Sequence, residues 1–117
     1  MQIKCNVTSI LEVKAAAELT RKKFGKVDIL INCAGDAKNN GVLNMSDDEW
    51  KFTIGANLNS VFYVTREIAN IVIKNNYGRI INIASMYGLV GNIEMNTVAE
   101  RWGNKFYKSS SDWIGSI

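Results

Sequence analysis

The stretch VDILINCAG, residues 27–35, decides the fold, and the stretch GRIINIAS, residues 78–85, is its counterpart further along the chain. Each is a short apolar run, rich in β-branched residues, that stops at small or polar residues. Such runs are typical of strands buried on both faces of a parallel sheet. A long helical pattern lies between them and completes a strand–helix–strand unit. The sequence therefore predicts an α/β fold built on a parallel sheet.

Length and composition narrow the class of protein before any motif is considered. The chain has 117 residues, enough for one domain, and 47% of them are hydrophobic and 21% charged, as in a globular protein. The net charge of +3 is small and its Lys and Arg residues are scattered, so we expect no nucleic-acid partner. No apolar run is long enough to span a bilayer and no secretory signal opens the chain, so we expect no membrane partner.

Histidine and cysteine usage excludes several kinds of site. The chain has no histidine, which excludes a Ser-His-Asp triad and any His-based metal site. Cys5 and Cys33 lack the spacing of metal ligands, so we predict no metal site. Two unpaired cysteines favour a reducing compartment, and we expect a cytoplasmic protein.

Two further elements are predicted before residue 27. Residues 2–7 have the pattern of a strand. Ser9 and Glu12 then form a capping box that opens a helix, and Gly25 fits just past its end. The apolar stripe of this helix comprises Ile10, Val13, Ala17 and Phe24.

A second and longer helix is predicted over residues 46–74. Ser46 and Glu49 form its capping box, and two further acids lie in the first turn, where the helix dipole favours them. Apolar residues then recur every three or four positions, at Trp50, Ile54, Leu58, Val61, Phe62, Ile68 and Val72. One continuous helix of about 40 Å is expected.

The character of the sequence changes after Val98. Residues 99–117 contain two tryptophans and three consecutive serines, without a clear helical or strand period. We therefore expect residues 1–98 to form the domain and residues 99–117 to form a divergent tail, as a frameshift or truncation would produce.

The two apolar stretches also carry a family resemblance. Residues 24–35 resemble the central signature of the short-chain dehydrogenase/reductase family, in which the strand ends in Asn-Asn-Ala-Gly, with Cys33 replacing the second Asn. Residues 78–85 are similar to the family strand that delivers the catalytic Ser. The resemblance implies a Rossmann-like fold.

Two weaker motifs support the resemblance and stand in the family's order. Trp50 and the pair Asn57-Leu58 match the helix that follows the central strand. Residues 4–8 are similar to an Asp-Val-Thr strand end, with Asn6 in place of the Asp.

The resemblance implies that NAD or NADP lies along the carboxyl edge of the sheet, where ligands of open α/β sheets bind. Gly35 and Ala34 lack bulk, so backbone can approach a flat ligand there. Asn6 would accept a hydrogen bond from the adenine amino group through its amide oxygen. The implied contacts are Asn6 and Val7 to the adenine, Asn32, Ala34 and Gly35 to the adenosine ribose, and Ile83 to the nicotinamide.

The family's chemistry is hydride transfer between nicotinamide and a carbonyl or alcohol carbon. A Ser hydrogen-bonds the substrate oxygen, a mid-helix Asn holds a water, and a Tyr with a Lys four residues on is the acid or base. The resemblance gives the first two roles to Ser85 and Asn57. Their ordinary alternatives are a serine at a strand end and a polar residue inside a helix.

Tyr107 is the remaining candidate for the catalytic Tyr. Four positions on stands Ser111 instead of Lys, and Lys108 would lie about 100° away on a helix. A second alignment places Glu100 where the Tyr should stand. Neither alignment contains a Tyr–Lys pair.

Other family features have no counterpart. The loop Thr-Gly-x-x-x-Gly-x-Gly, which brings the pyrophosphate to a helix N-terminus, is missing. In the family's sheet order 3-2-1-4-5-6-7, the predicted strands correspond to strands 3, 4 and 5. We expect a truncated sheet of about three strands with flanking helices. Residues 2–7 either slide beside residues 27–32 or leave an open edge that invites association.

The resemblance implies NAD(P)-dependent oxidoreduction of a small-molecule carbonyl or alcohol, like that of oxoacyl-carrier reductases or sugar-alcohol dehydrogenases. Because its motifs are incomplete, we predict little or no activity for the chain by itself. One alternative is a non-enzymatic remnant that forms homo-oligomers through the helix over residues 46–74. Another is a nucleotide-binding module without catalysis, at the edge formed by Asn6 and Gly35.

Overall fold

The parallel sheet predicted from the two apolar stretches is present. The computed structural model describes residues 1–38, 40–41 and 43–85, and in it strand β1 (Ile29–Asn32) pairs in parallel with strand β2 (Arg79–Asn82). The register sets Ile31 opposite Ile81 and Asn32 opposite Asn82. Parallel neighbours need a crossover connection, and the helical segment between the strands provides it. The α/β class is therefore confirmed.

Helix α1 (Ile10–Phe24) begins and ends where the local signals predict. The Ser9 hydroxyl accepts a hydrogen bond from the Glu12 amide. The Glu12 carboxylate accepts from the amide of Asn6, at 2.8 Å, so this cap reaches back into the preceding turn. Gly25 ends the helix with φ 75°, a conformation that favours glycine, and its amide donates to the Arg21 carbonyl.

The long helix predicted over residues 46–74 is divided. The Ser46–Glu49 capping box is confirmed, with both reciprocal hydrogen bonds made. The prediction of one uninterrupted helix is wrong. Apolar residues that recur every three or four positions do not reveal a single inserted residue, because the recurrence continues on either side of it. The segments are α2 (Asp47–Ile54), a π-helical turn (Gly55–Asn59), α3 (Ser60–Val72) and a 3₁₀ turn (Ile73–Asn75).

The apolar core lies between α1, α3 and the inner face of the sheet. Leu30 of β1 packs against it, and Val72 of α3 is fully buried. Its buried members are Ala17, Ile68, Ile71 and Val72, with Val27, Leu30 and Val64 packed against them.

The buried faces are narrower than the predicted stripes. In α1, Val13 and Ala17 are buried, but Ile10 and Phe24 are exposed. In the second helical segment, which is the divided helix over residues 47–75, Trp50 and Phe62 are exposed. The stripe marks which side of a helix is apolar, whereas the elements packed on it decide how much of that side is covered.

Residues 2–7 do not form the expected third strand. The sheet described has two strands, and this segment carries no ladder bonds in it. It is not paired with β1 in the sheet, although Val7 shares a cleft with residues 31–34. An apolar pattern supplies a face, but a strand also needs a hydrogen-bonded neighbour. Cys5 and Val7 instead lie beside α1 and α3.

The outer face of the sheet is open within the described residues, so two-sided burial of the strands is not found there. The isoleucines on this face are about half exposed: Ile29, Ile31, Ile81 and Ile83. The expected tail over residues 99–117 and its boundary at residue 98 lie outside the described residues. Within those residues, none of the helices has the length and apolar content needed to cross a bilayer.

Candidate functional site

The carboxyl ends of β1 and β2 meet at one edge of the sheet. Asn32 lies opposite Asn82, and the Ile83 amide donates to the Asn32 carbonyl at 2.9 Å, just past the ladder. The segments that follow the two strands, residues 33–35 and 83–85, therefore leave the sheet side by side. This is the edge at which parallel α/β sheets bind ligands.

Asn32 directs its side chain into the protein. The Asn32 Nδ2 donates to Thr65 Oγ1 of α3 at 3.1 Å and to Asn82 Oδ1 at 2.8 Å. Asn32 is buried, and burying an amide is costly unless it is hydrogen-bonded, which this cluster achieves. Any contact of Asn32 with a ligand is therefore left to its backbone.

Asn57 ties the loop after β1 to the second helical segment. It lies in the π turn, and its Nδ2 donates to the Thr53 carbonyl at 2.8 Å and to the Asp36 carbonyl. A second tie runs beside it, because the Lys38 amide donates to Thr53 Oγ1 at 3.2 Å. Both donors of the Asn57 side chain are engaged, so its position is set by the backbone on either side.

Gly35, in the same loop, lies close to the Asn57 side chain. A Cβ at residue 35 would lie 2.6 Å from Asn57 Oδ1. A side chain at residue 35 would therefore have to displace the Asn57 side chain. Gly41, in the same loop region, has no atom within 4 Å of an added Cβ.

Asn6 uses its side-chain oxygen locally. The Asn6 Oδ1 accepts from the Thr8 amide at 3.0 Å and from the Thr8 hydroxyl at 2.9 Å. Because a backbone amide only donates, the oxygen must face Thr8 and the amide nitrogen is directed elsewhere. The oxygen expected to meet an adenine amino group is thus already occupied.

Two clefts flank Val7. One, of about 80 Å³, lies at the carboxyl edge between Val7, residues 31–34 and the start of α3. The other, of about 170 Å³, lies between residues 5–7, α1 and α3. Ligand sites usually measure roughly 300–1,000 Å³, so the first cleft suits part of a dinucleotide and not the whole.

The Cys5 thiol lines the second of these clefts. Burial, and then the negative charge of Glu12, raises the pKa of the Cys5 thiol, which is therefore protonated near neutral pH. Among the described residues, no group of three or more His, Cys, Asp or Glu side chains could hold a metal ion.

The other candidate residues are exposed at the edge or lie outside the described chain. Ala34, Gly35, Ile83 and Ser85 are all exposed. The structure thus brings the ends of both strands together and sets Gly35 against Asn57. Tyr107 lies outside the described residues.

Sequence reasoning missed two residues that hold this edge, Thr65 and Asn82. Asn82 had a usable signal, because both strands end in the pair Ile-Asn and equal positions of paired strands face each other. Thr65 had none, since one threonine on a helix says nothing of a strand 33 residues earlier.

Residues 1–98 match the profile of the family described as short chain dehydrogenase. The chain is 40% identical over 87 residues to the 3-oxoacyl-(acyl-carrier-protein) reductase FabG of Escherichia coli, an alignment covering 74% of this chain and 36% of that protein. It therefore spans about a third of the length of this curated relative.

Two solved structures share the fold. The crystal structure of gox2181 has a TM-score of 0.84 and 26% identity, covering 95% of this chain and 46% of that one. An actinorhodin polyketide ketoreductase variant, crystallised with NADPH, has a TM-score of 0.85 and 26% identity, with 95% and 42% covered.

Proposed function

The chain belongs to the short-chain dehydrogenase family, and on that premise we propose that it is the central part of an NAD(P)-dependent oxidoreductase acting on a small-molecule carbonyl or alcohol. The observation that carries the proposal is the parallel register of Asn32 with Asn82. That register brings the residues after β1 and β2 to one edge, and a ligand lying along the edge would touch both segments.

The exposed backbone at this edge fits one part of such a cofactor. Ala34 and Gly35 have little or no side chain, and the adjoining cleft of about 80 Å³ would take the edge of a sugar or base. Asn6 and Val7 would meet the adenine, Asn32, Ala34 and Gly35 the ribose, and Ile83 the nicotinamide. When bound, the cofactor supplies or accepts the hydride.

Three polar residues would have separate roles in the reaction. Ser85 would donate a hydrogen bond to the substrate oxygen. Asn57 has both side-chain donors engaged, so a water in the proton relay would be held by one of its acceptors. Tyr107 would exchange the proton with the substrate. Because Ser111 and not a Lys stands four residues on, the sequence supplies no cation there to assist the proton transfer, so we expect slow turnover or none.

The substrate proposed is a 3-oxoacyl group carried as a thioester. It is supported by the 40% identity to a 3-oxoacyl-(acyl-carrier-protein) reductase, within the 87 residues compared. Sugar alcohols are the alternative, and a substrate panel separates the two.

Cofactor binding is tested by titrating the ¹⁵N-labelled chain with NADH and with NADPH. We expect amide shifts at Ala34, Gly35 and Ile83, weakened in Gly35→Ala, which displaces Asn57, and kept in Gly41→Ala, which touches nothing. Absence of shifts with both cofactors would refute the proposal. Binding with slow turnover of 3-oxoacyl thioesters supports the proposal, binding with no turnover at all favours the nucleotide-binding alternative, and rapid turnover would refute the expected low activity.

A specific observation also supports self-association through the second helical segment. Trp50, Phe52 and Phe62 are exposed there, and exposed apolar side chains mark an interaction site where they form one continuous patch. Light scattering after size-exclusion chromatography should show an oligomer that Phe62→Asp dissociates. Phe24→Asp, on the exposed side of α1, is the matched control and should leave it intact. A monomeric wild-type chain would count against this assignment.

A further inference from the structure

The π turn Gly55–Asn59 changes how one buried carbonyl is satisfied. The Ser60 amide donates to the Gly55 carbonyl, five residues back, whereas in an α-helix it would donate to Ala56. The Ser60 hydroxyl makes up the difference, because its Oγ donates to the Ala56 carbonyl at 2.6 Å. Ser60 is 2% exposed and Ala56 6% exposed, so water has little access to either.

This hydroxyl therefore does something that a serine in a regular helix does not. A hydroxyl that bonds the carbonyl four residues back usually shares an acceptor that already has its amide donor. Thr20 of α1 is such a case, donating to the Ala16 carbonyl at 2.8 Å inside a regular helix. At Ala56 the hydroxyl bonds a carbonyl whose usual donor, the Ser60 amide, is instead bonded to Gly55, and a buried carbonyl that loses a donor is destabilised.

The π turn also decides which way Asn57 faces. One inserted residue rotates the preceding chain by about 100° and shifts it by about 1.5 Å relative to the helix that follows. α3 cannot rotate to compensate, because Ile68, Ile71 and Val72 are packed in the core. The turn thus fixes the direction of Asn57 relative to the sheet.

Asn57 in turn holds the loop at the carboxyl edge. Its Nδ2 donates to the carbonyls of Asp36 and Thr53, and its Oδ1 stands where a Cβ on Gly35 would be. Displacing Asn57 would remove one of the two ties on the loop that follows β1 and leave the one from the Lys38 amide to Thr53 Oγ1.

We propose that Ser60 is a positioning residue, whose hydroxyl maintains the π turn and thereby keeps the Asn57 amide on the Asp36 carbonyl. The part that Asn57 plays in a reaction rests on the proposed function above. The contacts from Ser60 to Asn57 and the loop do not, so they can be tested without cofactor or turnover.

The test measures hydrogen exchange of the Asn57 side-chain amide in the ¹⁵N-labelled full chain, with the resonance assigned from its loss in Asn57→Asp. Ser60→Ala should raise the exchange rate about tenfold and shift the Asp36 and Ala37 backbone amides. Ser60→Thr keeps the hydroxyl and should restore the wild-type rate. Thr20→Ala removes a hydroxyl of the same kind from a regular helix and should leave the Asn57 amide unchanged.

Ser60→Cys covers the case in which Ser60→Ala does not fold. A thiol nearly conserves the volume but is a weak donor, so the Asn57 exchange rate should rise several-fold. Unchanged exchange in folded Ser60→Ala or Ser60→Cys would overturn the proposal, as would an equal effect of Thr20→Ala. Failure of NADH and NADPH to bind the wild-type chain would refute the proposed function and leave this result standing.

Discussion

Gly78→Ala is expected to destabilise the fold strongly, because Gly78 lies directly against the one side chain with no exposed surface among the described residues. A Cβ on residue 78 would lie 2.0 Å from Val72 Cγ1, 3.3 Å from its Cβ and 3.4 Å from its Cγ2. The first separation falls about 1.4 Å short of the 3.4 Å at which ordinary contact begins. Val72 is held in the core by Ile68 and Ile71, so the entrance to β2 must move away from α3.

Overpacking a core typically destabilises a protein by about 1–3 kcal/mol. Because the overlap here is large, we expect Gly78→Ala to cost about 3 kcal/mol, at the upper end of that range. Gly41→Ala, with nothing within 4 Å, is the matched control. Val72→Ala alone should cost about 2 kcal/mol for its two lost methyl groups and the cavity. In the double variant the smaller residue makes room for the new Cβ, so the two costs should fall short of additivity by more than about 1 kcal/mol.

Urea unfolding of the four variants, followed by circular dichroism, measures these free energies. The double variant keeps the test informative if Gly78→Ala alone does not fold, because the reasoning requires Val72→Ala to rescue it. A Gly78→Ala chain as stable as Gly41→Ala would refute the close packing of β2 on α3.

Three smaller perturbations test other parts of the chain. Gly55→Ala should stabilise the fold by up to about 1 kcal/mol. Gly55 has helical dihedrals, and an added Cβ would meet only Thr8 Cγ2, at 3.9 Å. A urea midpoint below that of the wild type would contradict this expectation. Hydrogen bonds from the Ser46 amide and hydroxyl lower the pKa of Glu49. The cap therefore contributes fully above the unfolded carboxyl pKa of about 4.3 and loses its contribution as the pH falls through the lower folded value. Urea unfolding at a series of acid pH values should show this slope in the wild type and lose it in Glu49→Gln, whose neutral amide still accepts the bonds; equal slopes would exclude Glu49 as the cause. Asn6→Asp keeps the acceptor for Thr8 and offers a second oxygen to an amino group, so the affinity ratio of AMP to IMP should rise about tenfold, as measured by calorimetry; an unchanged ratio would argue against a base at residue 6.

The strands and the helix caps could be predicted because their signals are local. An apolar β-branched run ending in Asn, and a Ser followed three residues later by Glu, act within a few residues of where they are read. The carboxyl edge followed from parallel pairing alone. The orientation of Asn32 did not, because its partners Thr65 and Asn82 lie 33 and 50 residues away. The same holds for Asn57, which faces Asp36 across 21 residues.

By itself, the sequence determined the α/β class, the two paired strands, the Ser9 N-cap, the Ser46–Glu49 capping box and the family, since each depends on residue type and short-range spacing. Only the tertiary structure decided that residues 2–7 have no strand partner among the described residues, that Asn32 turns inward and that a π turn divides the second helical segment. An extended segment becomes a strand only when a neighbour accepts its hydrogen bonds, and an inserted residue persists only where packing prevents the helix from unwinding it. Both conditions are set by residues distant in the chain, and no local pattern records them.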